Sequence, residues 1–132
     1  MKNFNSEKLL LIIGAGGFGR EVLSYIEDDN PIFNIKGFLD NRFDILKNTP
    51  RNAKIIGDPL SYIPNSDEIF VVALGDPQKR FEYTKNLREI YFANFIRITH
   101  PTSNISRHAR VSHGSIIAPR VGISVDVEIG EF

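Results

Sequence analysis

The feature that most restricts the fold of this chain is a six-residue period near its end. Ile105, Val111, Ile117, Ile123 and Ile129 recur at that interval. Ala109, Ser115, Val121 and Val127, two residues ahead of four of them, are small or β-branched, and Gly114, Gly122 and Gly130 punctuate the run. An amphipathic helix repeats about every 3.6 residues and a half-buried strand about every two, so neither explains the interval. An ordinary meander would need all these aliphatics in register by accident. A hexapeptide solenoid explains them directly. Each hexad forms one side of a triangular coil, and its aliphatic residue points inward onto its equivalent one coil away.

Before the hexads the texture is different. Leu9 to Ile13 is a short apolar run closed by glycine, the pattern of a strand buried on both faces. Gly14-Ala15-Gly16-Gly17-Phe18-Gly19 follows, then Val22 and Ile26 at helical spacing, with Arg20, Glu21, Glu27 and Asp28 in the polar positions. Asp28-Asp29-Asn30-Pro31 breaks the helix, and Ile35 to Asp40 is a second strand ending in an acid. Ile55 to Pro59 reads as a short strand and turn, and Ile69 to Leu74 as a buried strand closed by Gly75-Asp76. Pro77 suits a helix first turn, with Phe81, Thr84, Leu87 and Tyr91 as the inner face to about Phe92; Asn94 to Ile98 is one more strand. Strands alternating with helices give an α/β fold, a small Rossmann-like parallel sheet over residues 1–98. It is too short for two mononucleotide halves. Thr99-His100-Pro101-Thr102 is an extended junction into the beginning of the β-helix, residues 99–132.

The glycine turn carries the first chemical signal. Gly14-x-Gly16-x-x-Gly19 lies after a strand and opens a helix, where backbone can approach a phosphate and free helix amides can meet it. Such glycines also serve plain strand-to-helix packing. Asp40, about twenty residues on, stands where an acid can bind a ribose hydroxyl, and it favours the nucleotide reading. Gly75 and Asp76 follow another parallel strand and belong on the same edge. Arg80, a turn into the next helix, reads either as an anion partner or as a solvated helix charge.

Composition narrows the partners. The 132-residue chain has 16 basic and 16 acidic side chains, so it offers no general field for nucleic acid or an anionic membrane. Without cysteine it has no disulfide scaffold, thiolate metal site or cysteine nucleophile, and no metal is expected. The polar residues 1–8 and the brief apolar run after them are neither signal peptide nor membrane span, which makes a cytoplasmic protein the expectation.

The Gly-Ala-Gly-Gly-Phe-Gly-Arg-Glu-Val turn, the Gly-Phe-Leu-Asp strand end, Val-Val-Ala-Leu-Gly-Asp and the His-Pro-Thr junction into hexads resemble a known family. It is the sialic acid O-acetyltransferase and nucleotide-amino-sugar N-acetyltransferase family, and the likeness runs from about Leu9 to Phe132. The resemblance implies a nucleotide-sugar substrate in the first domain, trimerisation through a left-handed β-helix, and acetyl-coenzyme A in grooves between neighbouring β-helices. It assigns Gly14, Gly16, Gly17, Phe18 and Gly19 to the nucleotide-sugar loop, Asp40 and Asn41 to the nucleoside, and Gly75 and Asp76 to the sugar edge. Many members carry histidine where this chain has Phe18.

The family implies further coils and a histidine–acid pair that deprotonates the acceptor amine or hydroxyl. No segment here aligns with that histidine, so the chain reads as truncated, catalytically silent and without an assigned base. His100 belongs to the junction, and His108 and His113 fall at outward or turn positions, where an exposed or locally bonded ring is the ordinary case. Arg107, Arg110 and Arg120 give the hexads a basic bias, ordinarily solvated surface, that could also meet coenzyme A phosphates. Two functions therefore stay open: the sugar-nucleotide half of an acetyl-coenzyme A-dependent acyltransferase, or a nucleotide- or NAD-binding module without acyl transfer. The hexads favour the first.

Overall fold

The computed structural model describes residues 8–29 and 33–132; the polar leader before Lys8 and the Asn30-Pro31 helix breaker lie outside them. The first domain is a five-stranded, wholly parallel sheet. Its strands are β1 (Leu9–Ile13), β2 (Asn34–Leu39), β3 (Ile55–Gly57), β4 (Glu68–Val72) and β5 (Asn94–Phe95), in the spatial order β3-β2-β1-β4-β5. Two helices cover it: α1 (Gly17–Asp28) and α2 (Pro77–Glu89).

β1 is central because every residue from Leu10 to Ile13 is apolar and can be buried on either side. Alternate residues go to opposite faces. Leu10 and Ile12 join Val22, Leu23 and Ile26 of α1 in one core, with Phe38, Ile69 and Val71. Leu11 and Ile13 join Leu87 of α2 and Phe95 in the other, with Leu39, Phe70 and Val72. The inner face of α2 differs from the sequence expectation. Only Thr84 and Leu87 are buried, whereas Phe81 is 64% exposed, Tyr91 lies beyond the helix at 40%, and the helix stops at Glu89. Tyr83 packs at the margin of the core instead, and Phe81 stays outside it, stacked under the Arg88 guanidinium at 4.8 Å.

The expected strand over Asn94–Ile98 is two. The Ile96 amide still donates to Phe70 of the sheet, but the Ile98 amide donates to Ser115. The chain has left the sheet by then. Six two-residue strands follow: β6 (Ile98–Thr99), β7 (Asn104–Ile105), β8 (Arg110–Val111), β9 (Ile116–Ile117), β10 (Gly122–Ile123) and β11 (Glu128–Ile129). They pair in parallel as β6 with β9, β7 with β10 and β8 with β11. Each pair is three hexads apart, the return of a three-sided coil. Ile105 lies against Ile123 and Val111 against Ile129, so the periodic aliphatics stack as their spacing requires. The corners obey the same period. Gly114, Arg120, Asp126 and Phe132 all have left-handed backbone, with φ of 77, 61, 62 and 57°. Gly122 and Gly130, expected at turns, do not hold that conformation; Gly122 opens a strand.

Each helix also touches the coil. His100 is buried between Tyr25 and the end of α1. Its Nδ1 accepts from the Thr102 amide at 3.1 Å, which leaves Nε2–H to donate to Asp28 at 2.9 Å. On the α2 side, Arg80 donates to the Phe132 carbonyl at 2.8 Å, and the Phe132 ring packs on Phe95 at 5.2 Å.

At the amino edge of the sheet a buried carboxylate is fully engaged. Glu68 accepts from Lys36, from the Tyr62 hydroxyl at 2.6 Å and from the Asn65 amide at 2.7 Å. Burial raises its carboxyl, but the Asn65, Lys36 and Tyr62 hydrogen bonds outweigh that and hold it below its ordinary value of 4.5. A depressed carboxylate stabilises the fold above the unfolded value and ceases to do so as pH falls through the folded one. Glu68→Gln should cost about 1.5–3 kcal/mol at neutral pH. It should also flatten the loss of stability on acidification, measured by urea denaturation followed by circular dichroism from pH 7 downward.

Candidate functional site

The strand order changes direction between β1 and β4, and the loops after β1, β2 and β4 all open on the carboxyl edge there. Open parallel sheets bind their ligands at such a crevice. A cavity of about 270 Å³ occupies it. Gly16, Gly17 and Phe18 come from the first loop, Asn41 and Arg42 from the second, Ala73 to Asp76 from the third, and Lys79 and Tyr83 from α2. Asn41 donates to the Tyr83 hydroxyl at 3.3 Å, linking two of these walls.

The glycines divide by role. Gly14 has φ +104°, and a Cβ there would approach the Ala73 carbonyl oxygen to 2.7 Å. A Cβ on Gly19 would fall 1.8 Å from the Gly14 carbonyl oxygen. Both are needed for backbone packing. Gly16 and Gly17 are not: their nearest neighbours would be the guanidinium ends of Arg42 at 3.5 Å and Arg20 at 3.7 Å. At Gly75 nothing lies within 4 Å.

Two helices start at this edge and are finished differently. Asp76 caps α2, accepting from the Gln78 amide at 2.9 Å. α1 begins from Gly16; among the described residues no side chain caps it, and its first turn has no acid. Its leading amides and their partial positive charge are therefore turned to the cleft.

Asp40 is only 4% exposed, and both its oxygens are taken. Oδ2 accepts from the Ala15 amide and Arg42 Nη2, each at 2.9 Å, and Oδ1 from the Arg42 amide at 2.9 Å and Nε at 3.0 Å. Burial raises this carboxyl, and the Arg42 side chain together with the Ala15 and Arg42 amides brings it below the ordinary carboxylate range. Arg42, at the mouth, keeps 56% of its side chain exposed.

Of the residues marked in the sequence, Gly16, Gly17, Phe18, Asn41, Gly75 and Asp76 line the cleft; Gly14, Gly19 and Asp40 support it from beneath. Arg80 is turned away to Phe132. The sequence pattern does not mark Arg42, Lys79 and Tyr83, which also line the cleft. One helical residue rotates the side chain by about 100°, which separates Lys79 in the cleft from Arg80 at the coil. The Asp-Asn-Arg order was a usable signal for Arg42. None of the histidines lines the cleft: His100 is the buried tether, His108 is exposed, and His113 lies 3.7 Å from Glu131 on the coil. An open hollow of about 600 Å³ between α1, β2 and residues 50–54 is larger. Its cations Lys36, Arg51 and Lys54 already donate to protein acceptors, so size does not make it the better site.

Fold and site together define a Rossmann-like domain with an open glycine turn, joined to a parallel β-helix. The chain belongs to the family described as the PglD N-terminal domain, matched over residues 9–87. Among solved structures it is similar to PerB from Caulobacter crescentus, in complex with CoA and GDP-perosamine, at 22% identity and a TM-score of 0.77. That match covers 92% of this chain and 56% of PerB. It is also similar to the acetyltransferase domain of PglB from Neisseria gonorrhoeae, in complex with acetyl coenzyme A, at 22% identity and a TM-score of 0.80, covering 95% and 60%. The chain thus spans less than two thirds of either. A search of curated proteins finds no match. Among the described residues no helix is long and apolar enough to cross a membrane, and no group of three acid, histidine or cysteine side chains could hold a metal.

The glycine geometry predicts opposite outcomes for one substitution. Gly19→Ala forces a methyl into the Gly14 carbonyl and should destabilise the domain by about 3 kcal/mol or more. Gly75→Ala should stay within about 0.5 kcal/mol of the parent. Urea midpoints of the two variants decide it.

Proposed function

We propose that this chain supplies the nucleotide-sugar site and first coils of an N-acetyltransferase that uses acetyl-coenzyme A on a nucleotide-linked amino sugar. The observation that carries the reading is the uncapped start of α1 on a glycine-walled cleft, in a chain of the PglD N-terminal domain family. The amides after Gly16 suit phosphate oxygens. Phe18, Asn41, Gly75 and Asp76 wall the space for nucleoside and sugar. The fold shared with PerB, whose complex holds CoA and GDP-perosamine, supports a substrate and a donor of these classes.

In such a transfer the amine nitrogen attacks the thioester carbonyl, the C–N bond forms as the C–S bond breaks, and a base takes the ammonium proton and passes it to the departing thiolate, so coenzyme A leaves as its thiol. The donor is proposed to lie in grooves between neighbouring β-helices of a homotrimer in the cytoplasm, with no metal. The base is unassigned: among the described residues no histidine lines the cleft.

The NAD reading is weaker on one geometric ground. A dinucleotide site needs a free carboxylate for the ribose, and both Asp40 oxygens already have donors. Calorimetric titration with UDP-, GDP- and dTDP-linked amino sugars, with NAD as control, tests the proposal. Binding of at least one nucleotide sugar and none of NAD is expected, and Gly16→Val should abolish it. Tight NAD binding without any nucleotide sugar would sink the assignment. With acetyl-coenzyme A added, the 132-residue chain should show no acetyl transfer; turnover abolished by His113→Ala would place the base on the coil.

A further inference from the structure

The cleft contains an ion pair and a cation without a partner among the described residues, and the nucleotide-sugar reading leaves both unused. Asp40 and Arg42 form a bidentate pair whose acid is buried and whose base is not. A guanidinium has more N–H groups than the two, on Nε and Nη2, that Asp40 takes. The remaining donors stay at the cavity wall, next to Gly16, whose added Cβ would lie 3.5 Å from Nη2. On the α2 wall, Lys79 lines the same cavity and has no hydrogen-bond or ion-pair partner among the described residues. β2 and α2 reach the edge from opposite sides of β1, so the cations come from two walls.

We propose that Asp40 is a positioning residue, and that it fixes Arg42 so that Arg42 and Lys79 together hold the diphosphate of the ligand across the cleft. The inference rests on the nucleotide-sugar reading and assigns residues to its diphosphate: Arg42 on one wall and Lys79 on the other. It replaces the expected contact of Asp40 with the nucleoside. The Asp40 carboxylate acts through Arg42, and through the Ala15 amide it holds the loop to which the phosphates dock. Asn41, adjacent in sequence and bonded to Tyr83, is left as the polar group for the nucleoside side.

The test is calorimetry with UDP, UMP and uridine, with GDP, GMP and guanosine, and with dTDP, on the parent and on Arg42→Gln, Lys79→Gln and Asp40→Asn. The parent should prefer the diphosphate to the monophosphate by at least about tenfold, the scale of one charged hydrogen bond. Arg42→Gln and Lys79→Gln should each remove most of that preference and leave nucleoside affinity unchanged. Asp40→Asn keeps an acceptor for Ala15 but loosens Arg42, and it should also lower the preference. Combined with Arg42→Gln it should add nothing further, because the two act as one unit. If Asp40→Asn weakens uridine or guanosine as much as the diphosphate, Asp40 reads the nucleoside and the proposal is overturned. If Arg42→Gln keeps the diphosphate preference, the proposal falls while the nucleotide-sugar site stands. Binding of none of UDP, GDP and dTDP to the parent would remove both. Should Asp40→Asn fail to fold, the Arg42 and Lys79 variants decide alone.

Discussion

The crossing of Gly19 over the Gly14 carbonyl is the contact on which the rest depends. A methyl group at Gly19 would sit 1.8 Å from that oxygen, so only glycine lets α1 start so close to the end of β1. The closeness sets where the helix amides emerge. Around it the loop is tied to both neighbouring strands: the Gly14 amide donates to Leu39, the Ala15 amide to Asp40, and the Ala73 amide back to Ile13. Three strand ends are thereby fixed to one another before any ligand arrives. A cleft assembled this way is preorganised, and its binding energy is not spent on ordering loops.

The same two helices that wall the cleft also fix the coil. α1 runs from the glycine turn to Asp28, which receives the His100 hydrogen bond. α2 runs from the Asp76 cap, and its Arg80 reaches Phe132. The chain passes straight from β5, an edge strand of two residues, into the first coil, and Ile98 and Ile116 extend the α1-side core. At this edge the coil meets β5 through the Phe132 ring, packed on Phe95 at 5.2 Å. Solenoid turns bury their apolar faces against their neighbours, so a first coil needs a base to stand on. The sheet domain provides it, through a buried histidine on one side and a phenylalanine on the other.

The period of six makes the coil legible in the sequence, because inward stacking requires the same residue class at the same place in every hexad. The corners were less legible. Left-handed backbone falls on Gly114, Arg120, Asp126 and Phe132, and the sequence marks only the first with glycine. Non-glycine residues adopt that region when the surrounding pairs hold them there, so composition misdirected attention to Gly122 and Gly130. The inner face of α2 departs from its sequence pattern for a related reason. Apolar residues at helical spacing point to an inner face, but Thr84 and Leu87 alone are buried, with Tyr83 at the margin of the core. At the cleft the glycine roles followed from strand, turn and helix order. The engagement of Asp40 did not, since spacing places an acid at a strand end without saying which donors reach it first.

Asp40 and Glu68 show how similar ingredients separate into support and function. Each is a buried carboxylate at a strand end, each is hydrogen-bonded to a cation from a nearby position, and each is held below its usual range. At the amino edge Lys36 keeps only 30% of its side chain exposed, and Tyr62 and Asn65 supply the remaining donors, so the cluster closes on itself. At the carboxyl edge the acid is equally sheltered, but Arg42 is 56% exposed and stands beside backbone amides that no side chain among the described residues caps. A buried pair whose cation is also covered holds elements together and does little else. Where the cation reaches solvent beside an open helix start, the acid still bears the cost of burial, and the spare donors remain for an anion.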